Sequence, residues 1–94
     1  MRVRWLPVAA DSRREQIAYI ARHNPRAALD AGDRIRSSVD LLRRHPLLGR
    51  SGRRPGTREL VVSGTAFLVV YRVEGDIVTI LRLFHGAQDW PNMP

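Results

Sequence analysis

Three short apolar runs constrain this chain most: Leu60-Val61-Val62, Phe67-Leu68-Val69-Val70-Tyr71 and Ile77-Val78-Thr79-Ile80-Leu81. They are too short for helices and rich in branched and aromatic residues that suit a pleated sheet, so they read as strands. Ser63-Gly64-Thr65 and Glu74-Gly75-Asp76 join them, and glycine in each supplies the backbone freedom of a tight hairpin. A three-stranded antiparallel meander follows. If the second turn closes on Gly75-Asp76, Arg72 lies across from Thr79, Val69 from Arg82 and Phe67 from Phe84. On that register Arg72, Thr79 and His85 share one face, and Tyr71, Ile80, Arg82 and Phe84 share the other. The strand arginines are then split between the faces.

Upstream, Arg2-Val3-Arg4-Trp5-Leu6 alternates charged and apolar side chains, the period of a half-exposed strand that Pro7 closes. From Val8 to His23, Ala10, Ile17, Ile20 and Ala21 recur at helical spacing, although Arg13 and Arg14 interrupt the stripe. Asn24-Pro25 is a strong helix start, because asparagine caps free amides and proline at the first helical position sacrifices none. Ala28, Ala31, Ile35, Val39 and Leu42 then line one face until His45-Pro46 stops the run. The short junction makes the two helices an antiparallel hairpin.

Between Pro46 and Thr57 the glycine-rich, arginine-rich segment is expected neither to stack as a helix nor to pair as a strand. The resulting order, β-α-α-β-β-β, is an α+β class fold with a helical hairpin packed on one face of a small antiparallel-rich sheet. With 94 residues, the chain reads as one domain spanning 1–94.

The formal charge is +7, and all 16 basic residues are arginine. Guanidinium groups pair bidentately with carboxylates and phosphates, so the expected partner is an acidic protein segment or a nucleic acid. No cysteine is present, which excludes a disulfide framework, a thiol nucleophile and a cysteine-based zinc site, and fits a reducing cytoplasmic setting. No apolar signal core follows Met1, and export is not expected. His23, His45 and His85 are too scattered for a metal site, and no cofactor is expected. Ser51 and Ser63 lack a hydrolase elbow, and Gly49-Arg50-Ser51-Gly52 lacks the lysine and length of a phosphate loop.

Candidate functional side chains are therefore Arg58, Arg72, Arg82 and His85, set into or after apolar strands that do not need them, with Arg50, Arg53 and Arg54 in the loop. His85 is able to exchange protons near neutral pH. Equally, it is able to fix the exit of the last strand through a backbone hydrogen bond. His23 and His45 end helices, where they favour the dipole. Trp90 is expected to pack back on the core.

Tyr19-Ile20-Ala21 with Asn24-Pro25 and Ala27-Ala28, then Pro46-Leu47-Leu48-Gly49-Arg50, Gly56-Thr57-Arg58-Glu59-Leu60, Val69-Val70-Tyr71-Arg72-Val73, and Ile80-Leu81-Arg82 through His85-Gly86-Ala87-Gln88-Asp89-Trp90 stand in this order and spacing. In these pieces the chain resembles toxins of the RelE/ParE superfamily of bacterial type II toxin-antitoxin systems over nearly its whole length. The resemblance implies a growth-inhibiting, plasmid-stabilising toxin. It also implies a cognate antitoxin partner whose flexible, acidic tail wraps the toxin and folds on binding. DNA would be met only indirectly, through the antitoxin, and no membrane is involved.

Two activities compete within the superfamily: RelE-like members cleave mRNA on the ribosome, and ParE-like members are associated with poisoning DNA gyrase. The nuclease branch typically carries an arginine three residues before the tyrosine of the strand Phe67–Tyr71, supported by lysines or by a glutamate and histidine pair. Here that position is Leu68, and the chain has no lysine. The ParE-like reading, inhibition of gyrase by protein-protein contact without enzymatic chemistry, is therefore the expectation. A ribosome-dependent mRNA endoribonuclease using His85 is the alternative, and an inert basic binding module is a third reading. By resemblance Arg58, Arg82 and His85 are target or antitoxin contacts; Arg72 joins them from its expected exposure, and Arg50 and Arg53 from their place in the basic loop.

Overall fold

A computed structural model of the chain describes residues 1–86. The elements run β1 (Arg2–Trp5), α1 (Pro7–His23), α2 (Pro25–Arg44), β2 (Arg50–Ser51), β3 (Arg58–Val61), β4 (Phe67–Glu74) and β5 (Ile77–His85). They form one sheet in the order β1-β5-β4-β3-β2. Only β1 against β5 is parallel; the other pairs are antiparallel. The helical hairpin is the crossover that brings the chain from β1 back to the sheet. No helix among the described residues is long and apolar enough to cross a membrane.

A single residue makes the hairpin corner. The Asn24 amide donates to the Ile20 carbonyl at 2.8 Å, closing α1, while the Asn24 side chain accepts from the Ala27 amide at 3.1 Å, opening α2. Pro25 occupies the first helical position. Ala28, Ala31, Ile35, Val39 and Leu42 are buried as their spacing required, and Ser38 joins them. In α1 only Ala9 is fully buried. The interruption at Arg13 has a physical account: its guanidinium stacks 5.0 Å from the ring centroid of Trp5, so a charged residue serves the apolar stripe. Arg14 instead pairs with Asp11 in solvent.

The main core joins the inner helix faces to Val62, just past β3, and to the strand residues Phe67, Val69, Tyr71, Val78, Ile80 and Leu83, with Val3 and Trp5 packed alongside. Two sequence expectations need correction. The loop after α2 does pair as a strand: Arg50 and Ser51 lie antiparallel to Glu59 and Arg58. The β4–β5 register holds only for half its length. Arg72 faces Thr79 and Tyr71 faces Ile80, but Val70 then faces Arg82, Val69 faces Leu83, and Phe67 faces His85. Leu81 is the extra residue of a β-bulge. Beyond it every β5 side chain is on the opposite face from the one an unbroken alternation assigns. Leu83 thereby enters the core, while Arg82 and Phe84 leave it.

The bulge has a second consequence. β1 ends opposite Ile80, so among the described residues the later half of β5 has no strand on that side. There α1 takes over: Ser12 Oγ and Gln16 Nε2 both donate to the Leu83 carbonyl, at 3.0 and 3.1 Å. Polar residues in the middle of α1 thus satisfy an edge group that would otherwise be unpaired.

Candidate partner-binding surface

On β1, Val3 and Trp5 pack into the core, so alternation places Arg2 and Arg4 on the opposite, open face of the sheet. Register then assembles two cross-strand rows there. One is Arg4, Thr79 and Arg72 over β1, β5 and β4; the other is Arg82, Val70, Glu59 and Arg50 over β5, β4, β3 and β2. Arg72 and Arg82 are therefore on the same face, not on opposite faces, and the bulge at Leu81 is the reason. The helices neutralise much of their charge locally through Arg34 with Asp30, Arg36 with Asp33 and Arg43 with Asp40. Outside them the described residues hold eight arginines against three carboxylates, so the larger share of the surplus positive charge sits on the sheet and its loop.

Glu59 organises the β2 end of that face. Its side chain is 1% exposed, with Oε1 3.2 Å from Arg50 Nη2 and 3.6 Å from Arg53 Nε. Oε2 accepts the Arg53 amide at 2.9 Å. A buried carboxylate is costly unless charged donors surround it, and here the donors come from the basic loop. Arg72 pairs with Glu74 at 2.7 Å on the exposed rim. Arg82 donates from Nη1 to the adjacent Leu81 carbonyl at 2.7 Å, which folds its head back over the bulge. Between these charges Val70 and Phe84 are buried, with Leu68 and Leu81 packed against them as a second apolar cluster.

Arg58 and Tyr71 are cross-strand partners on the helix side. Both hold the Pro46–Gly49 corner. The Tyr71 hydroxyl accepts from the Gly49 amide and donates to the Pro46 carbonyl, each at 2.8 Å. Arg58 Nη1 donates to the Gly49 carbonyl at 2.8 Å and reaches the Leu47 carbonyl at 3.4 Å. Burial raises the phenol pKa from its ordinary 10.0, and the Gly49 amide and the Arg58 charge pull it partly back. The corner leaves Leu47 and Leu48 at 64% and 49% exposure. Beside it opens a cleft of about 430 Å³ lined by Leu47, Val73, Arg58, Arg54 and the Ser51–Thr57 turn.

His85 is not part of the arginine face. It pairs with Phe67, whose side chain is in the main core, and its ring meets the Phe67 ring edge-on at 5.5 Å. Of the residues expected from the sequence, Arg50, Arg53, Arg72 and Arg82 lie on one side of the sheet, while Arg58 and His85 lie towards the other. Sequence reasoning missed Glu59, Arg2 and Arg4. Glu59 carried a readable signal, a lone acid between Arg58 and the apolar Leu60-Val61-Val62 run. Trp90 lies outside the described residues.

Residues 3–90 match the family model described as ParE toxin of type II toxin-antitoxin system, parDE. The chain belongs to this toxin family. The protein Y4kP of Sinorhizobium fredii is 39% identical over 92 residues, covering 98% of this chain and 95% of that one. Toxin RelE1 of Caulobacter vibrioides is 32% identical over 74 residues, covering 77% and 78%. A solved structure titled Chromosomal ParDE TA system from P. aeruginosa superimposes with a TM-score of 0.81 at 27% identity, over 90% of this chain and 95% of that one. Its architecture is the one described above, and the toxin-antitoxin context of the family supports an antitoxin as partner.

Proposed function

We propose that this toxin acts on DNA gyrase by protein-protein contact, and that its antitoxin neutralises it with an acidic, flexible segment laid on the basic surface. The observation that carries the reading is that His85 lies on the opposite face of the sheet from both Arg72 and Arg82, the bulge at Leu81 having parted it from Arg72. A nuclease site needs its proton-transfer group and its phosphate-binding cations converging within hydrogen-bond reach of one reacting phosphate. Here the histidine is beside Phe67 on the helix side, while Arg72 and Arg82 are on the open face, where Leu68 packs in an apolar cluster; Arg58, on the histidine's side, pairs with Tyr71 further along β4 and is tied to the Gly49 carbonyl. Tyr71 is no substitute acid or base, because its hydroxyl is buried and holds the loop.

Surplus arginine favours an acidic protein partner. Binding would order its flexible tail, and the cost of that ordering is met by contact area and charge complementarity. Toeprinting of translated messages tests the reading against the ribonuclease alternative. No codon-specific cuts are expected at toxin concentrations that arrest growth, and His85→Ala is expected to leave toxicity intact. Codon-specific cuts that vanish in His85→Ala would overturn the proposal. Growth arrest on expression without antitoxin separates both toxin readings from an inert basic module.

A further inference from the structure

We infer that the cleft beside the Pro46–Gly49 corner is a binding subsite for one short piece of an acidic protein segment, taking an apolar side chain and a carboxylate together. The cleft is preformed. Gly52 donates its amide to the Thr57 carbonyl at 2.7 Å, and both the Thr57 amide and hydroxyl return to the Arg54 carbonyl, at 3.2 and 2.7 Å. These bonds fix the turn that forms one wall. Gly52 permits it, because any side chain there would collide with Thr57. Gly56 completes the turn at φ 77°, a conformation other residues rarely adopt.

The lining of the cleft is mixed in chemistry: Leu47, Pro55 and Val73 are apolar, and Ser51, Arg54, Thr57 and Arg58 polar. Arg58 is the recognition element. Its Nη1 is tied to the Gly49 and Leu47 carbonyls, which fixes the plane of the guanidinium. Its Nε and Nη2 have no hydrogen-bond partner among the described residues, and these two N–H groups form the parallel edge that a carboxylate accepts bidentately. A pre-held guanidinium loses little side-chain freedom on binding, which is where preorganised sites gain affinity. Leu47, exposed on the clamped corner, offers the apolar contact next to that edge.

A nucleic acid phosphate would satisfy Arg58 equally well, but among the described residues the cleft has no aromatic side chain on which a base would stack. Its apolar residues suit an aliphatic side chain instead. The inference rests on the proposed acidic character of the partner segment and is independent of the toxin's target.

The test is amide NMR of the isotope-labelled chain titrated with the peptide acetyl-Leu-Glu-Glu-Leu-amide. Shifts confined to Ser51, Gly52, Thr57 and Val73 are expected, with a Kd on the order of 1 mM. The glutamine analogue, acetyl-Leu-Gln-Gln-Leu-amide, and the variant Arg58→Gln should each weaken binding about tenfold. Because Arg58 also holds the loop, Leu47→Ser gives an independent reading: its exposed side chain carries no fold, and it too should weaken binding. Absence of shifts at these amides in the wild type, equal binding of the glutamine analogue, or shifts there with hexauridylate but not with the peptide would each overturn the inference. Neutralisation by the antitoxin that weakens with added salt, alongside a failed titration, would keep the acidic-partner reading and localise the failure to the cleft.

Discussion

The Tyr71 hydroxyl accepts the Gly49 amide at 2.8 Å from the far end of a buried side chain, so a core residue fixes the first turn of the basic loop. The pair is mutually exclusive of larger groups. A Cβ at residue 49 would approach the same hydroxyl to 2.7 Å and the Glu59 carbonyl to 2.9 Å. The loop's position is therefore set by the core together with the glycine that lets it approach.

Tyr71→Phe should leave the Gly49 amide and the Pro46 carbonyl without their partner. A destabilisation of about 1–3 kcal/mol is expected from the lost pair of buried hydrogen bonds, read by urea unfolding. Gly49→Ala should destabilise as well, by crowding. A Tyr71→Phe variant as stable as the wild type would show that the corner is held by other contacts.

The same phenol sets an alkaline limit. Its pKa is raised in the folded chain, so folding favours the protonated form. The contribution is present in full below about 10, the ordinary phenol value, and is lost as pH rises through the folded-state value. Thermal unfolding between neutral pH and pH values above 10 should show a loss of stability in the wild type that is smaller in Tyr71→Phe. Parallel curves for the two proteins would contradict this assignment.

Glu59 should separate charge from shape. Glu59→Gln keeps an acceptor for the Arg53 amide but loses the charge facing Arg50 and Arg53, while Glu59→Ala loses both. Because the two guanidiniums are about half exposed, solvent already screens the ion pairs. The amide bond is then the larger part, and alanine should cost about 1–3 kcal/mol and glutamine less. Chemical denaturation of both variants checks the order; equal losses would make the charge dominant.

Deleting Leu81 should remove the bulge and return β5 to strict alternation. Arg82 and Phe84 would turn towards the helices, and Leu83 would turn out. Exposing a fully buried leucine costs about 1.5–3 kcal/mol, and bringing a guanidinium into the core adds to it. Loss of cooperative thermal unfolding is the expected result. A deletion variant that unfolds as cooperatively as the wild type would contradict the face assignment.

That bulge also marks where the sequence stopped being readable. The helical hairpin, its Asn24 corner and the buried stripe of α2 were all legible, because spacing and capping chemistry are local. So was the turn at Gly75, and with it the pairing of Arg72 and Thr79. Alternation assumes an unbroken ladder, however, and nothing local to Ile80-Leu81-Arg82 announces the extra residue. One displaced position was enough to split Arg72 from Arg82 on paper and to place His85 with the wrong neighbours. Pairing of Arg50 and Ser51 with β3 was hidden for a related reason: two residues show no period, and their alignment depends on the distant clamp by Tyr71 and on the buried carboxylate of Glu59.

Gyrase supercoiling of relaxed plasmid with the purified toxin in excess over gyrase tests the central claim most directly. The toxin should block supercoiling, and prior mixing with its antitoxin should restore it. Unimpaired supercoiling at that excess, with folded toxin, would contradict the account.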